Sequence, residues 1–218
     1  MPSNVLVILA TDIFGQTQWC DNLLDSWQQQ SADVICINPY PPQYDIAFKN
    51  ESEAYQAFTA QGGIDAYVDK IDTVISQTLK AEIDQKRYKK VVAIGFSAGA
   101  AALWKVSALS ETGGNNIQHV IGFYPGQIRH YLDLQPKPHF SIIFPRAEKH
   151  FDLTPVIEHI VTKQNVNSIQ VGLEHGYANP SSDGFNALAS TELLRLLCDV
   201  KNLGVNTNLL CHLAKYSV

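Results

Sequence analysis

The sequence predicts an α/β fold: about six mostly parallel strands with helices on both faces. Three observations carry this reading. Short continuous apolar runs, the mark of strands buried on both faces, alternate along the chain with longer stretches of helical periodicity. The first strand, helix and strand follow one another closely, as a right-handed βαβ crossover requires. Near the middle, a Gly-x-Ser-x-Gly turn (Gly95 to Gly99) stands between an apolar run and an alanine-rich run. The 218 residues suffice for a single domain, 1–218, with a sizeable core.

Val5 to Ala10 is an unbroken apolar run and the first strand. Gln18 to Gln29 follows as a helix, with Trp19, Leu23, Leu24 and Trp27 on one face. Asp33 to Asn38 is the second strand, stopped by Pro39, Pro41 and Pro42. Residues 39–63 then leave the rhythm: aromatic at first (Tyr40, Tyr44, Phe48), weakly helical over Glu51 to Ala60, and closed by Gly62-Gly63. An excursion beyond the carboxyl end of a parallel strand lies where open α/β sheets bind ligands. It is expected to be a lid or pocket wall, or equally a surface loop whose aromatics pack down.

Ile64 to Lys86 carries Ile64, Val68, Ile71, Ile75, Leu79 and Ile83 at three- and four-residue steps and predicts a helix. Val91 to Ile94 is the central strand, and the helix after the serine turn is expected to end near Gly113-Gly114. His119 to Tyr124 and His139 to Phe144 are the next strands. Leu153 to Gln164 is a helix, Ser168 to Leu173 the sixth strand, and Phe185 to Val200 a closing amphipathic helix. The tail from Lys201 has room for one more short helix.

Composition narrows the function classes. The net charge of -5 and the lack of a basic run interleaved with aromatics argue against nucleic acid as a partner. Cys20, Cys36, Cys198 and Cys211 form no Cys-x-x-Cys pair and no metal-type spacing with histidine. Reduced thiols are expected. The first ten residues lack a basic leader, and their apolar run is too short for a signal or membrane segment. These features point to a cytoplasmic protein without membrane contact, a monomer or homodimer.

The chemistry is read from Ser97 outward. Gly95 and Gly99 let the flanking backbones approach, so the turn presents the Ser97 hydroxyl above the sheet edge. A serine is a poor nucleophile unless a base takes its proton, and the base needs an acid to hold its tautomer. On such a sheet the chain order is serine, acid, histidine. Leu173-Glu174-His175-Gly176-Tyr177 puts His175 just past the sixth strand, on the same rim as Ser97. His119 and His139 begin strands and belong to the opposite edge. His130 precedes any candidate acid, His150 and His159 precede the last strand, and His212 lies in the tail. Past the fifth strand, Glu148 and Asp152 are both available. Glu148 suits a tight loop under the imidazole, whereas Asp152 is accounted for as the cap of the helix containing Pro155. The oxyanion donors expected are the N–H groups of Ala98, after the nucleophile, and Ile13, after the first strand. Asp12 beside Ile13 is the odd residue. It either hydrogen-bonds the resting nucleophile or caps the next helix.

Together, Asp12-Ile13-Phe14-Gly15, Gly95-Phe-Ser-Ala-Gly99, Phe123-Tyr-Pro-Gly126, Glu148 and His175-Gly176-Tyr177 resemble the dienelactone hydrolase family of α/β-hydrolases from Val5 to about Val200. The resemblance implies an α/β-hydrolase fold and hydrolysis of small esters or lactones without metal or organic cofactor. It differs in three ways. The family's typical cysteine is Ser97 and the second glycine of its elbow is Ala100. Its triad aspartate is Glu148. Arginines to hold a dienelactone carboxylate have no match, since Arg87 precedes the central strand and only Arg129 and Arg146 follow candidate strands. The expected function is a serine hydrolase of a small carboxylic ester, lactone or thioester through Ser97, His175 and Glu148, in a pocket bounded by residues 39–63, Asp12, Phe14, Tyr124 and Tyr177. One rival is an inactive scaffold that binds a small ligand or protein in the same cleft. Another is a flavodoxin-like nucleotide binder using Thr11 to Thr17, a loop with one glycine and no basic residue to cradle a phosphate.

Overall fold

The computed structural model describes residues 3–44, 48–83, 88–204 and 208–217. Six strands form one sheet: β1 (Val5–Ala10), β2 (Asp33–Ile37), β3 (Lys90–Phe96), β4 (His119–Phe123), β5 (His139–Phe144) and β6 (Val166–Gln170). They are ordered β2-β1-β3-β4-β5-β6, and all five pairings are parallel. The expected mostly parallel sheet is thus wholly parallel, apart from an isolated antiparallel bridge between Val171 and Ser217.

Residues of alternating parity along each strand feed two separate cores. Val7 and Leu9 of β1 face α1 (Gln18–Gln29), α7 (Ala187–Leu197) and α8 (Asn208–Leu213). Leu6, Ile8 and Ala10 face α3 (Gly63–Ile83), α4 (Ala98–Leu109) and α6 (Thr154–Ile160). Trp27 of α1 is fully buried and donates its indole N–H to the Leu197 carbonyl at 2.7 Å, pinning the first helix to the last long one. Among the described residues, no helix is long and apolar enough to cross a membrane.

Several boundaries differ from the sequence expectation. The elbow helix does not run to Gly113-Gly114. Ser110 turns extended, and its hydroxyl accepts the Gly113 N–H at 2.8 Å, which starts the short α5 (Glu111–Asn116). Helix α6 stops at Ile160, because residues to Lys163 tighten into i→i−3 turns before the Asn165 carbonyl accepts the Phe140 N–H and opens β6. That pairing fixes β6 two residues earlier than its apolar run suggests. Helix α7 begins at Ala187, where Asn186 accepts the Ala189 N–H at 3.0 Å. The predicted end of α3 at Lys86, and Arg87, lie outside the described residues.

Candidate active site

The chain runs from β1 outward to β2 and then back to β3 on the other side of β1, so the strand order reverses at the carboxyl ends of β1 and β3. Crevices for ligands open at such reversals. Ser97 follows β3 directly and caps α4 with φ 48° and ψ −112°. This left-handed backbone is strained for serine and is held by close packing on either side. A Cβ at Gly95 would lie 2.6 Å from the Ala100 Cα, and one at Gly99 would run into the Ala10 and Thr11 carbonyl oxygens. The glycines are therefore required where α4 crosses the end of the sheet.

Three loops bring Ser97, His175 and Glu148 together. With Nδ1 protonated, His175 donates to Glu148 Oε1 at 2.9 Å, while its Nε2 lies 2.9 Å from the Ser97 hydroxyl, which donates to it. Glu148 is the more buried partner at 11% side-chain exposure, against 26% for His175. The extra methylene of glutamate has room because residue 126 is glycine: a Cβ there would come 3.1 Å from Glu148 Oε1. Asp152 instead accepts the Thr154 N–H at 2.9 Å, at the start of α6. The other predicted bystander at the sheet's opposite edge, His119, is buried against the Ser141 hydroxyl at 2.9 Å. Such an arrangement lets one imidazole remove the serine proton while a carboxylate stabilises the imidazolium that results.

The N–H groups of Ile13 and Ala98 have no acceptor among the described residues. Asp12, between β1 and Ile13, does neither of the things expected of it. Its Oδ1 accepts the Phe14 N–H at 2.9 Å, its Oδ2 accepts from Asn179 Nδ2 at 2.7 Å, and Thr17 stands at the N-cap position of α1. The Asn179 amide is oriented by its own Oδ1, which accepts the Ser181 N–H at 2.9 Å. Burial raises the Asp12 carboxyl from 3.8 to about 6, outweighing the two hydrogen bonds that favour its charge. Sequence reasoning missed Asn179. The one signal available was a polar residue four past His175, at the start of the polar loop Asn179 to Asp183.

Tyr124, after β4, also has a left-handed backbone (φ 40°), and its buried ring stands 5.0 Å from the His175 ring and 5.3 Å from that of Tyr177. A small cavity adjoins these groups, bordered among others by Asp12, Trp19, Cys20, Phe96, Tyr124 and Asn179. Phe14 and Tyr177 are buried but do not line this cavity, nor does any described residue of 39–63. That segment is nonetheless tied to the site. The Tyr40 hydroxyl donates to the Ile13 carbonyl, and the Glu51 carboxylate, at the start of α2 (Glu51–Ala60), accepts the Ser182 hydroxyl at 3.2 Å. Lys149, next to Glu148, bridges Glu51 at 3.6 Å and Asp183 at 3.4 Å. Arg129 donates to the Gly126 carbonyl and Arg146 pairs with Glu174 at the surface. Among the described residues, no group of three His, Cys, Asp or Glu side chains could hold a metal ion.

No family model matches the sequence. An uncharacterized protein of Bacillus subtilis, YczH, is 28% identical over 183 residues, 83% of this chain and 84% of its own length. Solved structures of similar shape include a dienelactone hydrolase from Anabaena variabilis, with TM-score 0.57 and 16% identity over 90% of this chain and 84% of that one. The dienelactone hydrolase-like promiscuous phosphotriesterase P91 from metagenomic libraries gives TM-score 0.59 at 14% identity, covering 97% and 87%. The α/β serine hydrolase XC6422 of Xanthomonas campestris gives 0.57 at 17%, covering 89% and 79%. At such identities the likeness establishes the fold, which is that of the α/β-hydrolases, as the sequence motifs implied.

Proposed function

We propose that this protein is a serine hydrolase of a small carboxylic ester, lactone or thioester. The observation that carries the reading is the unbroken hydrogen-bonded line from Glu148 through His175 to Ser97, 2.9 Å at each step, at the reversal point of the sheet. In this reading the Ser97 Oγ attacks the carbonyl carbon as His175 Nε2 takes its proton. The negative charge passes to the carbonyl oxygen, held by the N–H groups of Ile13 and Ala98. Collapse expels the alcohol, thiol or ring oxygen, which takes the proton from His175, and water repeats the sequence on the acyl-enzyme. Glu148 orients His175. Asp12 and Tyr124 face the acyl group, Phe14 and Tyr177 back the site, and residues 39–63 form a wall within the single domain.

The test is a hydrolysis assay on short-chain esters, lactones and thioesters, followed by acid release. Wild type should turn over at least one class, Ser97→Ala and His175→Ala should lose at least about 10³-fold, and Glu148→Gln should lose about 10²- to 10⁴-fold. No turnover by folded wild type would favour the inactive scaffold instead.

A further inference from the structure

The segment between β2 and α3 reaches three of the loops that carry the site, through two of its polar side chains. The Tyr40 hydroxyl donates to the carbonyl of Ile13, in the loop after β1, and also lies 3.2 Å from the Ala54 carbonyl of α2. Asn50 caps α2 by accepting the Glu53 N–H at 2.9 Å, and the buried Ala54 and Phe58 seat the helix. Glu51 is thereby fixed as the first residue of α2. Its Oε1 accepts the hydroxyl of Ser182 at 3.2 Å, in the loop that follows His175. Its Oε2 lies 3.6 Å from Nζ of Lys149, the residue after Glu148. One carboxylate therefore joins the loop of the base to the loop of the acid.

The Ser182 contact is the stronger of the two. Ser182 is buried, and its Oγ fills the space that a Cβ on Gly176, directly after His175, would need. Residue 184 passes so close to the His175 carbonyl that a Cβ there would collide with it. The turn 182–184 is thus packed on the backbone that aims the imidazole, and Glu51 holds that turn from outside. A hydroxyl donated to a carboxylate is stronger than one shared by neutral groups, and Glu51 is only 29% exposed. Lys149 is 69% exposed and also pairs with Asp183 at 3.4 Å, so its arm is screened and weaker. We propose that Glu51 is a positioning residue, which holds His175 and Glu148 in line by tying their two loops to α2. The inference rests on the hydrolase reading and adds to it a residue outside the triad. Glu51 acts through the loops and not on the substrate, so its loss should lower kcat and leave KM.

Proton NMR of the free protein and hydrolysis kinetics test this together. A proton shared between an imidazole and a carboxylate resonates far downfield and is visible only while it exchanges slowly with water. Wild type should show such a resonance from His175 Nδ1, absent in Glu148→Ala. In Glu51→Ala it should exchange with water about tenfold faster. On an ester that wild type hydrolyses, kcat should fall about tenfold while KM stays within about twofold. Ser182→Ala should reproduce both effects, and adding it to Glu51→Ala should change little further. Glu51→Gln keeps an acceptor for the Ser182 hydroxyl and should recover most of the loss, while Lys149→Met should cost no more than about threefold. Should Glu51→Ala fail to fold, Ser182→Ala carries the same prediction, since it removes a single oxygen. Folded Glu51→Ala with wild-type exchange and kcat overturns the proposal, as does a wild type without the downfield proton. A change confined to KM also overturns it and makes Glu51 a pocket-wall contact alone. Faster exchange in Glu51→Ala, where wild type hydrolyses no ester, would remove the hydrolase and keep the positioning. Unchanged exchange beside normal turnover would do the reverse.

Discussion

Asp12 is a buried carboxyl whose ionisation the fold opposes. Its carboxyl is raised from 3.8 to about 6 by burial, so between those values the folded protein binds a proton that the unfolded chain releases. Stability attributable to Asp12 is therefore greatest below about pH 4 and declines as pH rises toward 6, by roughly 3 kcal/mol in all. Asp12→Asn removes the titration. The difference in unfolding free energy, wild type minus variant, should fall by about that amount between pH 4 and pH 8, whatever its absolute offset. Urea unfolding at the two pH values measures it, and a constant difference would mean that Asp12 titrates normally. Gly126 makes a second residue-scale prediction. A methyl group 3.1 Å from Glu148 Oε1 displaces the carboxylate without touching the core. Gly126→Ala should slow hydrolysis by about 10- to 100-fold while leaving the melting temperature within a few degrees of wild type. The sequence motif contained Gly126 but not its packing against Glu148, and it did not point to Asn179, because each acts on a partner far along the chain: Glu148 lies across a strand and Asp12 lies 167 residues away.

At the scale of elements, the junction of β3 and α4 determines where the nucleophile stands. Gly99 lies against the main chain of Ala10 and Thr11, which has no side chain to yield. Gly99→Ala should cost at least about 3 kcal/mol in urea unfolding, or prevent accumulation of folded protein. An unchanged midpoint would show that α4 can shift away from β1. This junction was readable from the sequence because its signals are local: an apolar run, two glycines and a run of alanines. Helix α1 was readable for the same reason, its buried Trp19, Leu23, Leu24 and Trp27 falling on one face. Element ends set by distant partners were not. The apolar residues Val171 to Leu173 extend the pattern of β6, yet Val171 bridges Ser217 and the Gly172 N–H donates to the Tyr216 carbonyl. The tail thereby covers the outer edge of the sheet just past β6, while Val171 and Leu173 keep backbone bonds to the β5 side. Ser110 likewise ends α4 through a cap bond that competes with the helix it interrupts.

Across the whole molecule, the strand order joins loops from positions 12, 97, 148 and 175 at one edge of the sheet. The order of serine, acid and histidine along the chain pointed to His175 among seven histidines, and the short spacing past the fifth strand put Glu148 ahead of Asp152; in the structure it is Glu148 that hydrogen-bonds His175, while Asp152 accepts the Thr154 N–H. The pocket beside them was harder to read, since its walls are contributed by α1 and by the loop after β6, which no local pattern connects. Segment 39–63 reaches the site through Tyr40 and Glu51 rather than by lining that cavity. The central claim is that Ser97 is an activated nucleophile. The most direct test is intact mass after incubation with a fluorophosphonate, which forms a stable bond with such a serine. Wild type should gain a single adduct, Ser97→Ala should gain none, and His175→Ala should react far more slowly. Folded wild-type protein that gains no mass would contradict the claim.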